Sequence, residues 1–429
     1  MKVLQLFFIF LFSGLVIRAQ EPLSLTDAIS KALENNYQII IVKQDQAIAE
    51  ITNNWGTAGR YPYISLSAGD ENSYNLNKTE DFATNRFTAG VALNWTLFDG
   101  FAVRINKTRF EELEELSKHN TAIMVEGTIQ SVILAYYNIL LQEAKLKNYD
   151  EVMQLSEARF RRAESQKEYG TAVTYDVLQA QNAYLSDRAG FLLQQVAYKN
   201  AKRDLNYLLA ERNPVDYVLS EKFEALAIDY NLSDLQAQMI ENNKSLQNQY
   251  INQKLLENAV ASAKSAFSPT VDFRGGASGN STRSNYENRD VSWTNSANFY
   301  GNITLSYNLF SGGNRKRAVQ IANIDEEIGK VQIEDMQHDL SNKLANLFEF
   351  YLVQKELLAV AAENLEAARL NLQISREKFE AGAINSFNFR DVQVLYLNSA
   401  QRQLEAIYAF IDAHTALLRM TGTIIQQYE

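Results

Sequence analysis

Two hydrophobic periods take turns along this chain, and each appears twice. From Phe87 to Leu97 the odd positions are Phe87, Ala89, Val91, Leu93, Trp95 and Leu97, set against Thr88, Gly90, Ala92, Asn94 and Thr96. From Phe299 to Leu309 the odd positions are Phe299, Gly301, Ile303, Leu305, Tyr307 and Leu309, set against Tyr300, Asn302, Thr304, Ser306 and Asn308. Ile64, Leu66 and Ala68, and later Val271 and Phe273, alternate more weakly. A period of two sends successive side chains to opposite faces. These segments therefore predict strands with one apolar and one polar face, at about 61–75, 86–98, 269–280 and 297–310. The Asn/Ser/Thr/Asp-rich stretches between them, about Asp70 to Asn85 and Ser278 to Ala297, read as connecting loops.

Elsewhere the period is 3.6. Ile129, Val132, Ile133, Tyr136, Leu140 and Leu141 form one helical stripe, and Leu344, Leu347, Phe348, Tyr351, Leu352 and Leu358 form its counterpart. The pattern predicts helices at about 25–57, 101–168 and 175–209, and again at about 232–266, 313–380 and 389–420. From Phe101 to Glu168 there is no proline and one glycine, Gly127. A helix of that length reaches roughly 100 Å at 1.5 Å per residue, far longer than a compact domain needs. Each long helix is followed by a glycine-bearing turn, Tyr169-Gly170-Thr171-Ala172 and Ala381-Gly382-Ala383-Ile384, and then by a returning helix.

The order of these elements is itself duplicated. Leu25-Thr26-Asp27 and Glu34-Asn35-Asn36 recur as Leu232-Ser233-Asp234 and Glu241-Asn242-Asn243, and Tyr61-Pro62 recurs as Ser268-Pro269. Trp95-Thr96-Leu97-Phe98-Asp99-Gly100 recurs as Tyr307-Asn308-Leu309-Phe310-Ser311-Gly312. The expected organisation is a signal peptide at 1–20, a first repeat at 21–212, a linker at 213–231 and a second repeat at 232–429.

Composition narrows the setting. Lys2 precedes an apolar run from Val3 to Val16, too short for a comfortable bilayer span and fitting a cleaved export signal. No other segment is long and apolar enough to read as a spanning helix, which leaves a closed β-barrel as the route across a membrane. The chain has no cysteine, so thiolate metal sites, disulfides and lipid-modified cysteine are excluded. Its formal charge of -10, lower still without Lys2 and Arg18, makes it a poor nucleic-acid partner. Four strands cannot close a barrel whose smallest bacterial form has eight, so the chain must oligomerise: a dimer gives eight strands, a trimer twelve.

With these elements in place, the chain resembles the TolC-like outer membrane efflux proteins. The resemblance rests on Leu23-Ser24-Leu25-Thr26-Asp27-Ala28-Ile29 with Ala32-Leu33-Glu34-Asn35-Asn36, Tyr61-Pro62, Trp95 through Gly100, and Gly170 through Asp176-Val177-Leu178-Gln179-Ala180-Gln181. It implies a mixed α and β membrane protein built from a duplicated repeat, each copy with two strands and long antiparallel helices. It implies a homotrimer in the outer membrane of a Gram-negative bacterium, whose 12-stranded β-barrel continues into a periplasmic α-helical barrel. It implies as partners a periplasmic adaptor (membrane fusion protein), an inner-membrane pump and outer-membrane lipid, with no cofactor.

The resemblance also assigns residues. Tyr169, Gly170, Thr171, Gly382, Ala383 and Ile384 are the adaptor-docking tips, and Asp176, Asn388 and Asp391 the tunnel constriction. Asn388 departs from the family's acidic pattern, and Phe379 and Ile384 stand where some relatives carry a Tyr and an Arg that lock the closed mouth. Independently of the resemblance, the clustering of Trp95, Phe98 and Phe101, and of Tyr307 and Phe310, at strand ends marks them as membrane-interface aromatics. A helix-dipole role for the two aspartates and a turn requirement for the two glycines are the competing readings. Enzyme chemistry finds no motif: His119, His338 and His414 lie apart, without metal-ligand spacing. Two other readings stay open, a duct for type I protein secretion and a soluble periplasmic coiled-coil adaptor or scaffold.

Overall fold

The computed structural model describes residues 22–76, 80–287 and 289–428, so the expected signal peptide lies outside the described residues. The elements run β1 (Pro22–Leu23), α1 (Leu25–Asn35), α2 (Tyr37–Thr52), β2 (Tyr63–Asn75), β3 (Phe82–Phe98), α3 (Ala102–Glu168) and α4 (Thr174–Leu208). They continue with β4 (Val218–Leu219), α5 (Leu232–Asn242), α6 (Lys244–Ser265), β5 (Thr270–Tyr286), β6 (Arg289–Ser306), α7 (Asn314–Glu380), α8 (Ser386–Met420) and α9 (Ile424–Tyr428).

The helices form four columns. In one half of the molecule α3 packs against α2 and α6, and in the other half against α4 and α8; α7 likewise packs against α6 and α8. The two 67-residue helices α3 and α7 are thus continuous, while α2 stacks on α4 and α6 on α8. The junctions explain the repeated Glu-Asn-Asn motif. Asn36 leaves the helical region (φ -60, ψ 127), caps α2 by accepting from the Gln38 N–H at 2.9 Å, and donates its amide to the Leu208 carbonyl at 2.9 Å. Asn243 does the same between Leu246 N–H and the Met420 carbonyl. One side chain therefore serves an orphan donor at one helix start and an orphan acceptor at another helix end. Asn36→Ala is expected to cost about 2 kcal/mol, about 1 for the cap and about 1 for the lost bond to Leu208, with Asn36→Asp retaining the cap. Urea unfolding of the detergent-solubilised variants measures the difference.

These junctions correct the expected single helices at 25–57 and 232–266, each of which is two. The apolar period runs on both sides of the asparagine, so periodicity alone passes over the break. One stretch of α3 is also apolar enough to span a bilayer by length and composition, contrary to expectation, but 44% of it is buried within the chain. Ile129, Val132, Ile133 and Tyr136 of α3 belong to the core formed with α1, α4, α8 and α9. Tyr136 donates its hydroxyl to the Leu23 carbonyl at 2.8 Å and accepts from the Ser220 N–H, tying α3 to the small parallel β1–β4 pair.

The other four strands form one antiparallel sheet in the order β2-β3-β5-β6. Its register pairs Leu66 with Val91 and Val91 with Ala277, so the apolar positions of neighbouring strands share one face. β2 ends at Asn75 as expected, but the other three strands run farther: β3 begins at Phe82, β5 reaches Tyr286 and β6 begins at Arg289. Polar side chains there support the ladder rather than ending it. The Ser73 and Thr84 hydroxyls lie 2.6 Å apart, and Asn85 donates to Asp70 at 2.8 Å and to Asn72 at 2.7 Å. β6 stops at Ser306 rather than near 310, leaving Tyr307 and Phe310 in the segment leading to α7.

Candidate functional site

Three places carry the candidate residues: the sheet, its junction with the helices, and the far ends of the helical hairpins. On the sheet, Asp70, Asn72, Asn85 and Arg283 lie on the apolar side but toward the free end, and Trp95 lies near the helical end. Ten residues separate Asn85 from Trp95, roughly 33 Å of strand, or about 25 Å of height at a tilt near 40°. That equals the apolar band of an outer-membrane barrel. Phe87 and Val91 fall inside the band and remain 51% and 45% exposed, although they are the residues a soluble sheet would bury.

At the junction, Trp95 donates its indole N–H to the Arg60 carbonyl at 3.0 Å. A register shift between Thr96 and Phe98 pairs Phe98 with Val271, placing Phe98 on the apolar side with Trp95. Phe98 then meets Phe101 edge-to-face at 5.4 Å. Phe101 sits in the left-handed region (φ 72) where the second copy has Gly313 (φ 78), an expensive backbone for a bulky residue. The chain holds this aromatic in a strained position while leaving it 64% exposed. Tyr307 and Phe310 are exposed at the same junction in the second copy.

At the hairpin ends, Gly170 (φ 75) and Gly382 (φ 74) close identical turns. Gly170 N–H donates to Lys167 and Thr171 N–H to Gln166; Gly382 N–H donates to Phe379 and Ala383 N–H to Lys378. The paired bonds are the Schellman arrangement, which requires positive φ at the glycine. Space beside both glycines is open. Thr171, Asp176, Gly382 and Ile384 line one cavity of about 420 Å³ between the tips, whereas Tyr169, Ala383, Asn388 and Asp391 lie outside it on the surface.

Asp176 and Asn388 occupy the third residue of α4 and α8. In the first copy the Asp176 carboxylate accepts weakly from the Val173 N–H at 3.5 Å; in the second, Asn385 accepts from the Asn388 N–H at 2.9 Å. The two copies each keep one half of a capping box. Asp391 stands one turn farther along α8, exposed. Phe379 stacks on Phe389 at 4.8 Å and lies under the Arg162 guanidinium at 5.1 Å.

A cluster that the sequence reading missed lies just behind the tips. Asp187 of α4, 7% exposed, receives two bonds from Arg390 of α8, at 2.5 and 2.7 Å, and a hydrogen bond from the Ser156 hydroxyl of α3. Arg159 of α3 is 6% exposed and donates to the Ser386 carbonyl at 3.3 Å and to Gln393 at 3.4 Å. Burial, together with the nearby Arg390 charge, lowers the Arg159 guanidinium to about 10. The available signal was positional: Ser156 and Arg159 continue the stripe of Val152, Asp187 that of Ala180, and Gln393 that of Phe389. Polar residues in a seam are buried by the helix even when they look like surface charge.

Comparison with known proteins adds to this geometry. The family model described as "Outer membrane efflux protein" matches residues 28–211 and 235–423, one stretch in each copy of the duplication. The chain is 22% identical over 393 residues to "Probable outer membrane lipoprotein SilC" of Salmonella typhimurium, covering 89% of this chain and 82% of that protein. It is 22% identical over 425 residues to the outer membrane efflux protein BepC of Brucella suis biovar 1, covering 96% and 88%. Among solved structures, CusC superposes with a TM-score of 0.75 at 16% identity over 93% of this chain and 92% of that one. The outer membrane channel CmeC of Campylobacter jejuni gives 0.73 at 14% identity over 93% and 85%.

Proposed function

As this chain belongs to the outer membrane efflux protein family, we propose that three copies close around one axis into a duct whose sheets form a 12-stranded barrel and whose helical columns form a tunnel. The protein is an outer-membrane efflux channel, and the assembly gives that activity a form. The observation that supports closure by several copies is the sheet itself, and the number three follows the family. It is open, its β2 and β6 edges have no strand partner among the described residues, and its apolar face is exposed. In lipid every backbone polar group needs a partner, so β2 of one copy must pair with β6 of the next. The four columns per copy then give twelve around the tunnel.

In this reading Trp95, Phe98, Phe101, Tyr307 and Phe310 mark the inner membrane boundary, where amphipathic rings sit at headgroup level. The hairpin tips, Tyr169 to Thr171 and Gly382 to Ile384, meet a periplasmic adaptor, which couples the duct to an inner-membrane pump. Asp176 and Asp391 set acidic side chains around the tunnel mouth, with Asn388 leaving a gap in that ring. Solutes cross passively, and the energy comes from the pump.

Gly170→Trp combined with Gly382→Trp tests the docking role. The open space beside both glycines predicts a chain that still folds and inserts, at the cost of strain in the two turns. Export and adaptor cross-linking are expected to fall to background. Unchanged export by the inserted variant would remove the tips from the mechanism.

A further inference from the structure

We propose that the junction of sheet and helices binds acidic phospholipid headgroups of the leaflet nearest the helices, through Arg60, Arg104 and Lys316, a reading that rests on the barrel proposed above.

Charge along the two long helices is sorted by distance from the sheet. Between Leu97 and Phe110 the chain carries Arg104, Lys107 and Arg109 against one acid, Asp99, and between Tyr307 and Ile324 it carries Arg315, Lys316 and Arg317 against none. Farther down, the sign reverses, at Glu111, Glu112, Glu114 and Glu115 of α3 and at Asp325, Glu326 and Glu327 of α7. In a chain of formal charge -10, cations are thus gathered at the end that meets the membrane. Helix stability does not ask for this, because a cation in the first turn opposes the helix dipole. Neither helix has an acid in its first turn to offset it.

Some of these cations are already engaged. Arg315 donates to the Ala266 carbonyl at 3.1 Å, Arg317 to the Gly312 carbonyl at 3.0 Å, and Lys107 pairs with Glu111 at 2.6 Å. Arg104 and Lys316 are not. Each is the third residue of its helix, the two are equivalent under the duplication, and both are exposed. Neither makes a hydrogen bond or an ion pair among the described residues. Arg60 fixes the side on which the cations gather. Its carbonyl accepts from the indole N–H of Trp95, a residue of the apolar face of β3, so Arg60 lies on the lipid side, where its exposed guanidinium covers the Trp55 ring at 4.9 Å. Cations at the level of interfacial rings meet headgroup phosphates, and each one near an acidic surface raises binding about 5-fold.

Quenching of tryptophan fluorescence in reconstituted vesicles tests the proposal. In the full chain carrying Trp293→Phe, the remaining tryptophans, Trp55 and Trp95, both lie beside Arg60 at the junction. The vesicles are equal mixtures of phosphatidylcholine and phosphatidylglycerol, with bromine on the acyl chains of one lipid or of the other. At low salt, brominated phosphatidylglycerol is expected to quench as though enriched about 5-fold over phosphatidylcholine. The preference should fall toward equality when Arg60→Gln, Arg104→Gln and Lys316→Gln are combined, and also in 1 M salt, where screening shortens to about 3 Å. All three positions are exposed, so the variant still inserts and is still quenched by brominated phosphatidylcholine. Equal quenching by the two lipids before those replacements, or a preference unchanged after them, overturns the proposal and leaves the barrel standing. Quenching by neither lipid removes the barrel, and the proposal with it.

Discussion

Asp187→Leu is expected to destabilise the helical domain by about 3–5 kcal/mol, the largest single effect in this chain. Removing this carboxylate leaves Arg390 without its two bonds and sets it beside Arg159, itself 6% exposed, with no acid between them. Arg390→Leu should cost less, because Arg159 is close enough to feel the Asp187 charge and can turn toward it. The double replacement, which removes one charge of each sign, should recover most of the loss, as apolar substitution of a whole buried pair generally does. Urea unfolding of the three detergent-solubilised variants gives the order. Equal costs for the two single variants would show that the three helices do not share one charge network.

The second large effect belongs to the sheet. Val91→Arg is expected to reduce the stability of the inserted protein by about 2–4 kcal/mol, and Ala92→Arg to be tolerated. Val91 lies near the middle of the band between Asn85 and Trp95, on the face shared with Leu66 and Ala277. Ala92, one residue on, pairs with Ser65 and Gly276 on the polar face. The same contrast should hold for Ile303 and Thr304 of β6, which pair with Phe273 and Asp272. Refolding yield into lipid vesicles separates the two faces; equal losses at Val91 and Ala92 would mean that neither face meets lipid.

Both effects depend on how much of the molecule its sequence displays. The alternation at Phe87 to Leu97 and the stripe at Ile129 to Leu141 are visible because a side chain in a strand or helix must repeat with the geometry of its backbone. Family resemblance then supplied the outer-membrane location and the efflux role, which the family match over both copies supports. The breaks at Asn36 and Asn243 were hidden because the apolar period continues across them, and only the cap and the bond to a distant helix end reveal the turn. The outer parts of β5 and β6 look like loops in sequence because polarity marks the edge of the lipid, whereas backbone pairing carries the strand past it. The Asp187 network stayed hidden for a third reason. Its partners lie on three helices, Ser156, Asp187 and Arg390, and no local pattern joins them.

The absence of cysteine makes the central claim open to direct test. Cysteine pairs are introduced on the polar face of the two edge strands, Ser67→Cys on β2 with Asn298→Cys, Tyr300→Cys or Asn302→Cys on β6, and oxidised in isolated outer membranes. Closure of three copies predicts that at least one pair joins neighbouring chains into a covalent ladder of one, two and three, ending at three. A ladder that ends at two, runs past three or never forms with any pair would contradict the trimeric barrel.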